Sequence, residues 1–198
     1  MESAALFGGM VYQRDYEGWQ IAWESIGRHR LWCSQSRPET THTACVVMFN
    51  PGSLSGTGDG LAKDDTLRIL RSAIPPNTST LILNLFTLAT PDPSILFEQW
   101  DQRDCANFSI DRLRANVIDS VVWAYGDGGQ DPKRNRIFGE SVRARIASIR
   151  SALAGYPAVT LPEPLISKRG NPKHPKHWRL LRQIDNVKQA ISRTQQQK

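Results

Sequence analysis

An asparagine at the end of an apolar run is the first residue of this chain with a clear chemical use. The run 44–49 leads directly into Asn50, Pro51 and Gly52, and a loop rich in Gly, Ser and Thr follows. Such a loop presents backbone N–H groups and one fixed amide at the end of a strand, which is the edge where open α/β sheets bind ligands. The alternative is an ordinary turn, since Asn, Pro and Gly are common turn residues.

Two further polar residues occupy comparable positions. Asn84 interrupts the apolar run 81–86, and a buried amide must find hydrogen-bond partners or destabilise the fold. His174 lies in a Pro- and Lys-rich loop, residues 162–178, which follows the last apolar run and is called the histidine loop below. An imidazole can donate or accept a proton near neutral pH. The alternatives are a structural asparagine bonded to neighbouring backbone and a histidine exposed on a surface loop.

The elements that must position these residues are strands that alternate with helices. Strands are predicted at 44–49, 81–86, 120–125 and 158–161, and helices at 64–74, 93–100, 110–116, 134–154 and 179–193. A parallel sheet exposes the carboxyl ends of its strands along one edge, so the two asparagines and the histidine loop would lie there.

The predicted fold class is α/β: a three-layer α/β/α arrangement with a central, mostly parallel four-stranded sheet. Residues 19–34 alternate apolar and polar side chains around Gly27, which predicts an additional N-terminal extended hairpin. A length of 198 residues suits a single domain. It would comprise an extended region at 1–43, the sheet and its helices, and a basic C-terminal helix with a frayed tail at 179–198.

The composition excludes several classes of protein. A hydrophobic content of 39% with 22% charged residues is ordinary for a soluble globular chain. No apolar run is long enough to span a membrane and no signal-peptide pattern begins the chain. Cys33, Cys45 and Cys105 are too far apart in sequence and too few for a four-cysteine metal site. These features predict a reduced, cytoplasmic setting.

The charge is unevenly distributed along the chain. Residues 133–198 hold 15 Lys and Arg against 3 Asp and Glu, whereas residues 1–132 hold 10 against 16. A strongly basic last third is typical of a surface that meets phosphate. The alternative is a solvated basic helix that only aids solubility.

Together these residues resemble motifs of the uracil-DNA glycosylase superfamily, over residues 44–178. The segment 46–58, centred on Asn50-Pro51-Gly52, is similar to the first motif of the mismatch-specific uracil/thymine branch. The segment 81–84, followed by Leu88, is similar to the strand of the uracil-specific branch that carries the base-reading asparagine, and His174-Pro175 is similar to the start of the second catalytic motif. A bacterial uncharacterised family with Asn-Pro-Ser and Gly-x-Pro-x-His-Pro motifs is similar over the same span.

The chain departs from both branches in its second motif. Lys176, His177 and Trp178 follow His174-Pro175, where the superfamily has Ser and a loop of small residues that wedges into DNA. The mismatch-specific branch has Asn in place of His174. The sequence therefore mixes features of two branches.

The resemblance implies a role for each residue of a base-excision site. Asn50 would hold the attacking water, Asn84 would pair with the base edge, and His174 would donate to the leaving base. The carboxylate of Asp65, or of its neighbour Asp64, would assist, with helix capping as the alternative. The implied base pocket consists of Pro51, Gly52, Ser53, Asn84 and Phe86.

Basic residues around the histidine loop predict contact with DNA phosphates. They are Lys168, Arg169, Lys173, Lys176 and Arg179. Trp178 or Leu54 would wedge into the gap left by a flipped base, and core packing is the alternative for Trp178.

Gly52 bears on the choice of substrate. In the uracil-specific branch the corresponding residue is a tyrosine that blocks substituents at the pyrimidine 5-position. Because glycine has no side chain, the pocket is predicted to admit 5-modified pyrimidines, including the modified cytosines of phage DNA.

The function expected from the resemblance is that of a monofunctional DNA glycosylase, in base-excision repair or in defence against phages with modified DNA. It would act as a monomer on duplex DNA with a flipped base, and it would need no metal or cofactor. Two alternatives remain open: a non-catalytic nucleic-acid-binding module of the same fold, and an enzyme that processes small nucleosides or nucleotides. The chain lacks the GxxxxGK[ST] and GxGxxG phosphate loops, which weakens the last alternative.

Overall fold

The computed structural model of the chain describes residues 8–52, 64–90, 92, 94–99, 118–127, 132–178 and 181–197. These ranges contain six strands and four α-helices. The strands are β1 (Met10–Tyr16), β2 (Trp19–Ile26), β3 (His29–Ser36), β4 (His42–Met48), β5 (Thr78–Asn84) and β6 (Ser120–Trp123). The helices are α1 (Asp65–Ala73), α2 (Ser94–Glu98), α3 (Pro132–Ala152) and α4 (Leu181–Gln196), with short 3-10 turns at Glu163–Leu165 and Pro175–His177.

The six strands form one mixed sheet in the order β1-β2-β3-β5-β4-β6. The pairs β1–β2, β2–β3 and β3–β5 are antiparallel, whereas β4 runs parallel to β5 and to β6. Antiparallel pairing therefore dominates. The predicted central, mostly parallel four-stranded sheet is wrong.

One reason for the difference lies at β3. The turn at Gly27, where φ is +53°, joins β2 to β3 as predicted, but the hairpin does not stand apart from the sheet. Cys33 of β3 pairs with Ile82 of β5, so the N-terminal strands continue the sheet beyond β5. A local alternation pattern identifies a strand but not its distant partner, and the polar stretch 13–15 interrupts the apolar residues of β1.

The second reason lies in the predicted strand at 158–161. This segment makes only an isolated parallel bridge, between Val121 and Ala158. Prolines at 157 and 162 flank it, and proline cannot donate a hydrogen bond to a ladder. The segment therefore adds no full strand to the sheet.

The other predicted strands and helices agree with the structure to within a few residues at their ends, except the helix at 110–116, which lies outside the described residues. Helix α1 illustrates why such local predictions succeed. Asp64 caps the helix by accepting a hydrogen bond from the Leu67 N–H at 3.0 Å, and Leu67 and Leu70 are buried. The helix ends at Ala73, and Ile74, which precedes Pro75, has an extended backbone.

Hydrophobic clusters cover both faces of the sheet. One cluster joins Val46, Met48 and Ile82 to α1 and α4 and includes Trp178. The other joins Val47, Leu83 and Val121 to α2 and α3. With both faces covered, the loops that follow β4, β5 and β6 are held together at one edge of the sheet. Across the helices of the described ranges, none is long and apolar enough to cross a membrane.

Candidate functional site

A cleft of about 430 Å³ opens at the edge where β4 and β6 end. Its volume lies within the ~300–1,000 Å³ range of small-molecule sites. The cleft is lined by four of the predicted site residues, Asn50, Gly52, His174 and Lys176, and also by Asp64. The structure therefore brings together the first and last motifs, which are more than 120 positions apart in the sequence.

Asn50 presents an oxygen to this cleft. Its side-chain Nδ2 donates to the carbonyl oxygens of Pro51 and Thr90, both at 2.9 Å. The Thr90 N–H in turn donates to the Pro51 oxygen at 2.9 Å, which ties the loop after β4 to the loop after β5. Because both amide hydrogens of Asn50 are used, the remaining polar atom is the carbonyl oxygen, a hydrogen-bond acceptor. Asn50 is 9% exposed.

The loop that follows β6 fixes the position of His174. The Gly126 N–H donates to the Pro172 oxygen at 2.8 Å. The Asp127 carboxylate accepts hydrogen bonds from the Ser167 hydroxyl at 2.8 Å and from the Asn171 amide at 2.7 Å. Gly126 has φ +70°, and a β-carbon there would lie 3.2 Å from that of His174. Glycine is therefore required at this contact, for both its conformation and its size.

The hydrogen bond at Nδ1 determines the tautomer of His174. Nδ1 accepts from the Lys176 N–H at 3.3 Å, so the neutral ring carries its proton on Nε2. Burial, followed by the nearby charges of Lys176 and His177, lowers the pKa of His174 from 6.5 to about 4. At neutral pH the side chain is therefore an uncharged hydrogen-bond donor.

The two adjacent aspartates at the start of α1 differ in position. Asp64 lines the cleft: its Oδ1 caps α1, and its Oδ2 lies 4.0 Å from the position of a β-carbon on Gly52. Asp65, the predicted catalytic carboxylate, is exposed, lies outside the cleft and pairs with Arg68 at 2.9 Å. A carboxylate that serves this cleft would thus be Asp64.

Gly52 lines the cleft where a side chain would meet open space. Among the described residues, the Asp64 oxygen at 4.0 Å is the one atom that lies near its β-carbon position. Its backbone lies outside the left-handed region, so a larger residue could adopt the same conformation. A side chain here would therefore narrow the cleft without straining the loop.

Asn84 is buried at the end of β5, beside the cleft. It pairs in register with Met48, and parallel partners in register point to the same face of a sheet. Met48 lines the cleft, whereas Asn84 itself does not. Asn84 is 1% exposed, and neither polar atom of its amide has a hydrogen-bond partner among the described residues. A buried amide of this kind needs a partner.

Phe86, the aromatic residue predicted for the base pocket, does not line the cleft. Phe86 is 1% exposed and packs edge-on against Phe49 within the core, at a ring separation of 5.3 Å. Phe49 and Tyr125 line the cleft instead. Phe49 belongs to the apolar strand segment and Tyr125 to the end of the third predicted strand, so both were visible in the sequence only as core residues.

The basic residues of the histidine loop differ in their exposure to solvent. Lys168, Arg169 and Lys176 are exposed, and Lys176 also lines the cleft. Lys173 is half-buried and its Nζ donates to the Pro164 oxygen at 2.8 Å. Arg179 and Ser53 lie outside the described residues, as does Leu54, one of the two predicted wedges.

Trp178, the other predicted wedge, belongs to the core. It is fully buried and its ring N–H donates to the Lys173 oxygen at 3.0 Å. The core-packing alternative is the one that the structure supports.

Sequence reasoning missed Arg30. This residue lies near the start of β3, is 2% exposed and lines the cleft. A charged residue directly before the apolar run 31–33 was the available signal. Among the described residues, no group of three His, Cys, Asp or Glu side chains could hold a metal ion.

Comparison with known proteins identifies the family but not its activity. A family model described as protein of unknown function (DUF1643) matches residues 28–176, so the chain belongs to that family. No curated protein and no solved structure matches the chain. The matched span includes every residue of the cleft discussed above except His177.

Proposed function

We propose that the protein is a DNA glycosylase that excises a uracil-like or 5-modified pyrimidine and leaves an abasic site. In this reaction water attacks the sugar carbon C1′ as the bond from C1′ to the base nitrogen breaks. The sugar gains positive charge and the leaving base gains negative charge. The site must therefore hold a water on one side and donate hydrogen bonds to the base on the other.

The observation that carries the proposal is the pairing of an acceptor and a donor in one cleft. The Asn50 oxygen is the polar atom left over after both amide hydrogens are bound, which suits it to orient a water. His174 is neutral, with its proton on Nε2, which suits it to donate to the base. Neither group is a strong base, so the intrinsic rate is expected to be modest.

The cleft has room and surfaces for a base. Phe49 and Tyr125 supply aromatic walls, and aromatic rings stack on flipped bases. Asn84, buried beside the cleft, has amide donors and an acceptor with which no described residue pairs, and a pyrimidine edge requires such groups. The open space at Gly52 favours substrates with a substituent at the 5-position.

The surface around the cleft supports DNA as the partner. Lys168, Arg169 and Lys176 are exposed on the histidine loop, and the last third of the chain has a large excess of basic residues. Contacts from such residues to phosphates orient a duplex without reading its sequence. The proposed enzyme acts in the cytoplasm as a monomer.

The test is alkali cleavage of oligonucleotide duplexes that carry uracil, thymine or 5-modified pyrimidines after incubation with the protein. Cleavage at the position of at least one of these bases is expected, and Asn50→Ala is expected to lower the rate roughly 100-fold or more. Asp65→Asn is the matched control, because its carboxylate lies outside the cleft, and it should retain the wild-type rate. A protein that binds DNA but releases no base from the panel would contradict the proposal.

The role of Gly52 gives a separate prediction on substrate choice. Gly52→Tyr places a ring in the cleft without backbone strain, so it should reduce excision of 5-substituted pyrimidines by at least tenfold relative to uracil. Gly52→Ala should change this ratio little. The ratio of the two rates in each variant is the measurement, and an unchanged ratio in Gly52→Tyr would show that the 5-position does not face this loop.

A further inference from the structure

Arg30 is a buried cation for which the described residues provide no counter-ion. It is 2% exposed, and within the described part of the chain its Nε has no hydrogen-bond partner and its guanidinium forms no ion pair. Its backbone is fixed, since its N–H donates to the Thr87 oxygen at 2.9 Å. A buried, unpaired charge is strongly destabilising. The position of Arg30 on the wall of the cleft suggests that a ligand supplies the missing partner.

Neither Asp64 nor Asp127, whose carboxylates line the same cleft, forms an ion pair with Arg30. Asp64 uses Oδ1 as the cap of α1, and Asp127 accepts hydrogen bonds from Ser167 and Asn171. Another buried arginine among the described residues is held differently. Arg71 is 8% exposed, donates from Nη1 to Gln35 Oε1 at 2.8 Å and lies 5.6 Å from the ring of Tyr16. Arg71 is therefore partnered by the fold, whereas Arg30 is not.

We propose that Arg30 is a catalytic residue that binds the leaving base and stabilises the negative charge that develops on it. This inference rests on the proposed glycosylase function. A neutral His174 can donate a hydrogen bond to the base but contributes no charge. A guanidinium remains charged at any physiological pH and presents several in-plane N–H donors to oxygen atoms. In a cleft with little water, a fixed cation stabilises an anion more than it would in solution.

The reaction balances with Arg30 in this role. The bond between C1′ and the base nitrogen breaks, and its electron pair stays on the base, where it spreads onto the carbonyl oxygens that face Arg30. The water oxygen forms the new bond to C1′ and releases a proton to solvent. The released base anion then takes up a proton from solvent, so that Arg30 keeps its own protons throughout.

The burial of Arg30 distinguishes this role from phosphate binding. The phosphates of a DNA strand remain at the protein surface, where Lys168, Arg169 and Lys176 are exposed. Arg30 belongs to a strand of the sheet and is almost fully buried. Arg30 is therefore placed to contact the part of the ligand that enters the cleft furthest, which is the base.

The first experiment measures single-turnover excision of uracil, 5-fluorouracil and 5-hydroxymethyluracil, whose ring nitrogens differ in acidity. Arg30→Met should lower the rates roughly 100- to 1,000-fold, with the largest loss for the least acidic base. Arg30→Lys should restore part of the rate because it keeps the charge. Arg71→Met is the control for loss of a buried arginine, and it should leave the relative rates of the three bases unchanged. Equal losses for all three bases in Arg30→Met would overturn the inference.

The second experiment measures binding without excision. Barbiturate, a pyrimidine that is anionic at neutral pH, should raise the melting temperature of the wild-type protein more than thymine does, and this difference should vanish in Arg30→Met. If the variant does not fold, the test rests on the wild-type protein alone. A wild-type melting temperature that rises no more with barbiturate than with thymine would then overturn the inference.

The two experiments separate the inference from the proposed function. Excision with no effect of Arg30 on the relative rates would overturn the inference and leave the glycosylase function standing. Binding of barbiturate that depends on Arg30, without any abasic site, would support the anion site and overturn the glycosylase function. Failure of both experiments would overturn both.

Discussion

The chemistry of the cleft depends on which side-chain atoms the fold has already used. Asn50 donates both amide hydrogens to the carbonyl oxygens of Pro51 and Thr90, and Nδ1 of His174 accepts a hydrogen bond from the Lys176 N–H. One residue is left with an acceptor and the other with a donor. The two residues thereby have opposite hydrogen-bonding roles in one site.

The pKa of His174 gives a prediction for pH. Burial lowers the pKa from 6.5 to about 4, so the folded protein binds fewer protons than the unfolded chain between these values. The contribution of His174 to stability is therefore complete above pH 6.5 and is lost as the pH falls towards 4. The free energy of unfolding, measured with urea across this range, should fall less steeply in His174→Gln than in the wild-type protein.

The activity should respond to pH differently. Because His174 is neutral throughout the range from pH 8 to pH 5.5, its donor is present at every pH in between. An excision rate that falls with an apparent pKa near 6.5, together with an imidazole NMR titration of His174 at the same value, would show that the residue is not buried as described.

Some site residues could be predicted from sequence and others could not. Asn50 was predictable because it directly follows an apolar strand, and His174 because its loop follows the apolar run 158–161. The distinction between Asp64 and Asp65 was not, because it depends on which carboxylate the first turn of α1 directs to the cleft. Arg30 was missed because its proposed role rests on the lack of a counter-ion among the described residues, which can be recognised only in three dimensions.

At the scale of elements, contacts between two pairs of loops hold the site together. The loop after β6 contacts the histidine loop through Gly126 and Asp127, and the loop after β4 is tied to the loop after β5 through Pro51 and Thr90. The position of His174 relative to Asn50 therefore depends on the ends of neighbouring strands rather than on helices.

Gly126 tests this coupling between loops. Gly126→Ala places a β-carbon about 3.2 Å from that of His174 and at a φ of +70°, so the histidine loop must shift. We expect a loss of roughly 1–3 kcal/mol in stability and a larger fractional loss of excision than of DNA affinity. Gly155→Ala is the matched control, since its β-carbon position is open and its φ is unstrained. Full activity in Gly126→Ala would contradict the proposed role of this contact.

The limits of prediction at this scale follow from pairing. Helix α1 and strands β4 and β5 were predictable from local spacing and from the prolines that follow α1. The antiparallel pairing of β3 with β5 was not, because it joins segments about 50 residues apart and leaves no local signal. A sheet that is parallel around β4 and antiparallel beyond β5 was for this reason predicted as a smaller, mostly parallel one.

The whole molecule has a marked charge asymmetry that predicts its response to salt. If Lys168, Arg169 and Lys176 contact phosphates, the affinity for duplex DNA should fall steeply between low and physiological salt. Replacing one of them with Ala should reduce the slope of log affinity against log salt by about 1. Arg14→Ala, an exposed change on the edge strand β1, should leave the slope unchanged. Equal slopes in all variants would place the DNA on another face.

The central claim is that the cleft cleaves a glycosidic bond and does not merely hold DNA. The most direct measurement is the rate of abasic-site formation in Asn50→Ala and His174→Ala under single-turnover conditions, with DNA affinity measured on the same samples. We predict that both variants keep an affinity close to that of the wild-type protein and lose roughly 100-fold or more in rate. Wild-type rates in both variants, or rates that fall only in proportion to affinity, would contradict the account.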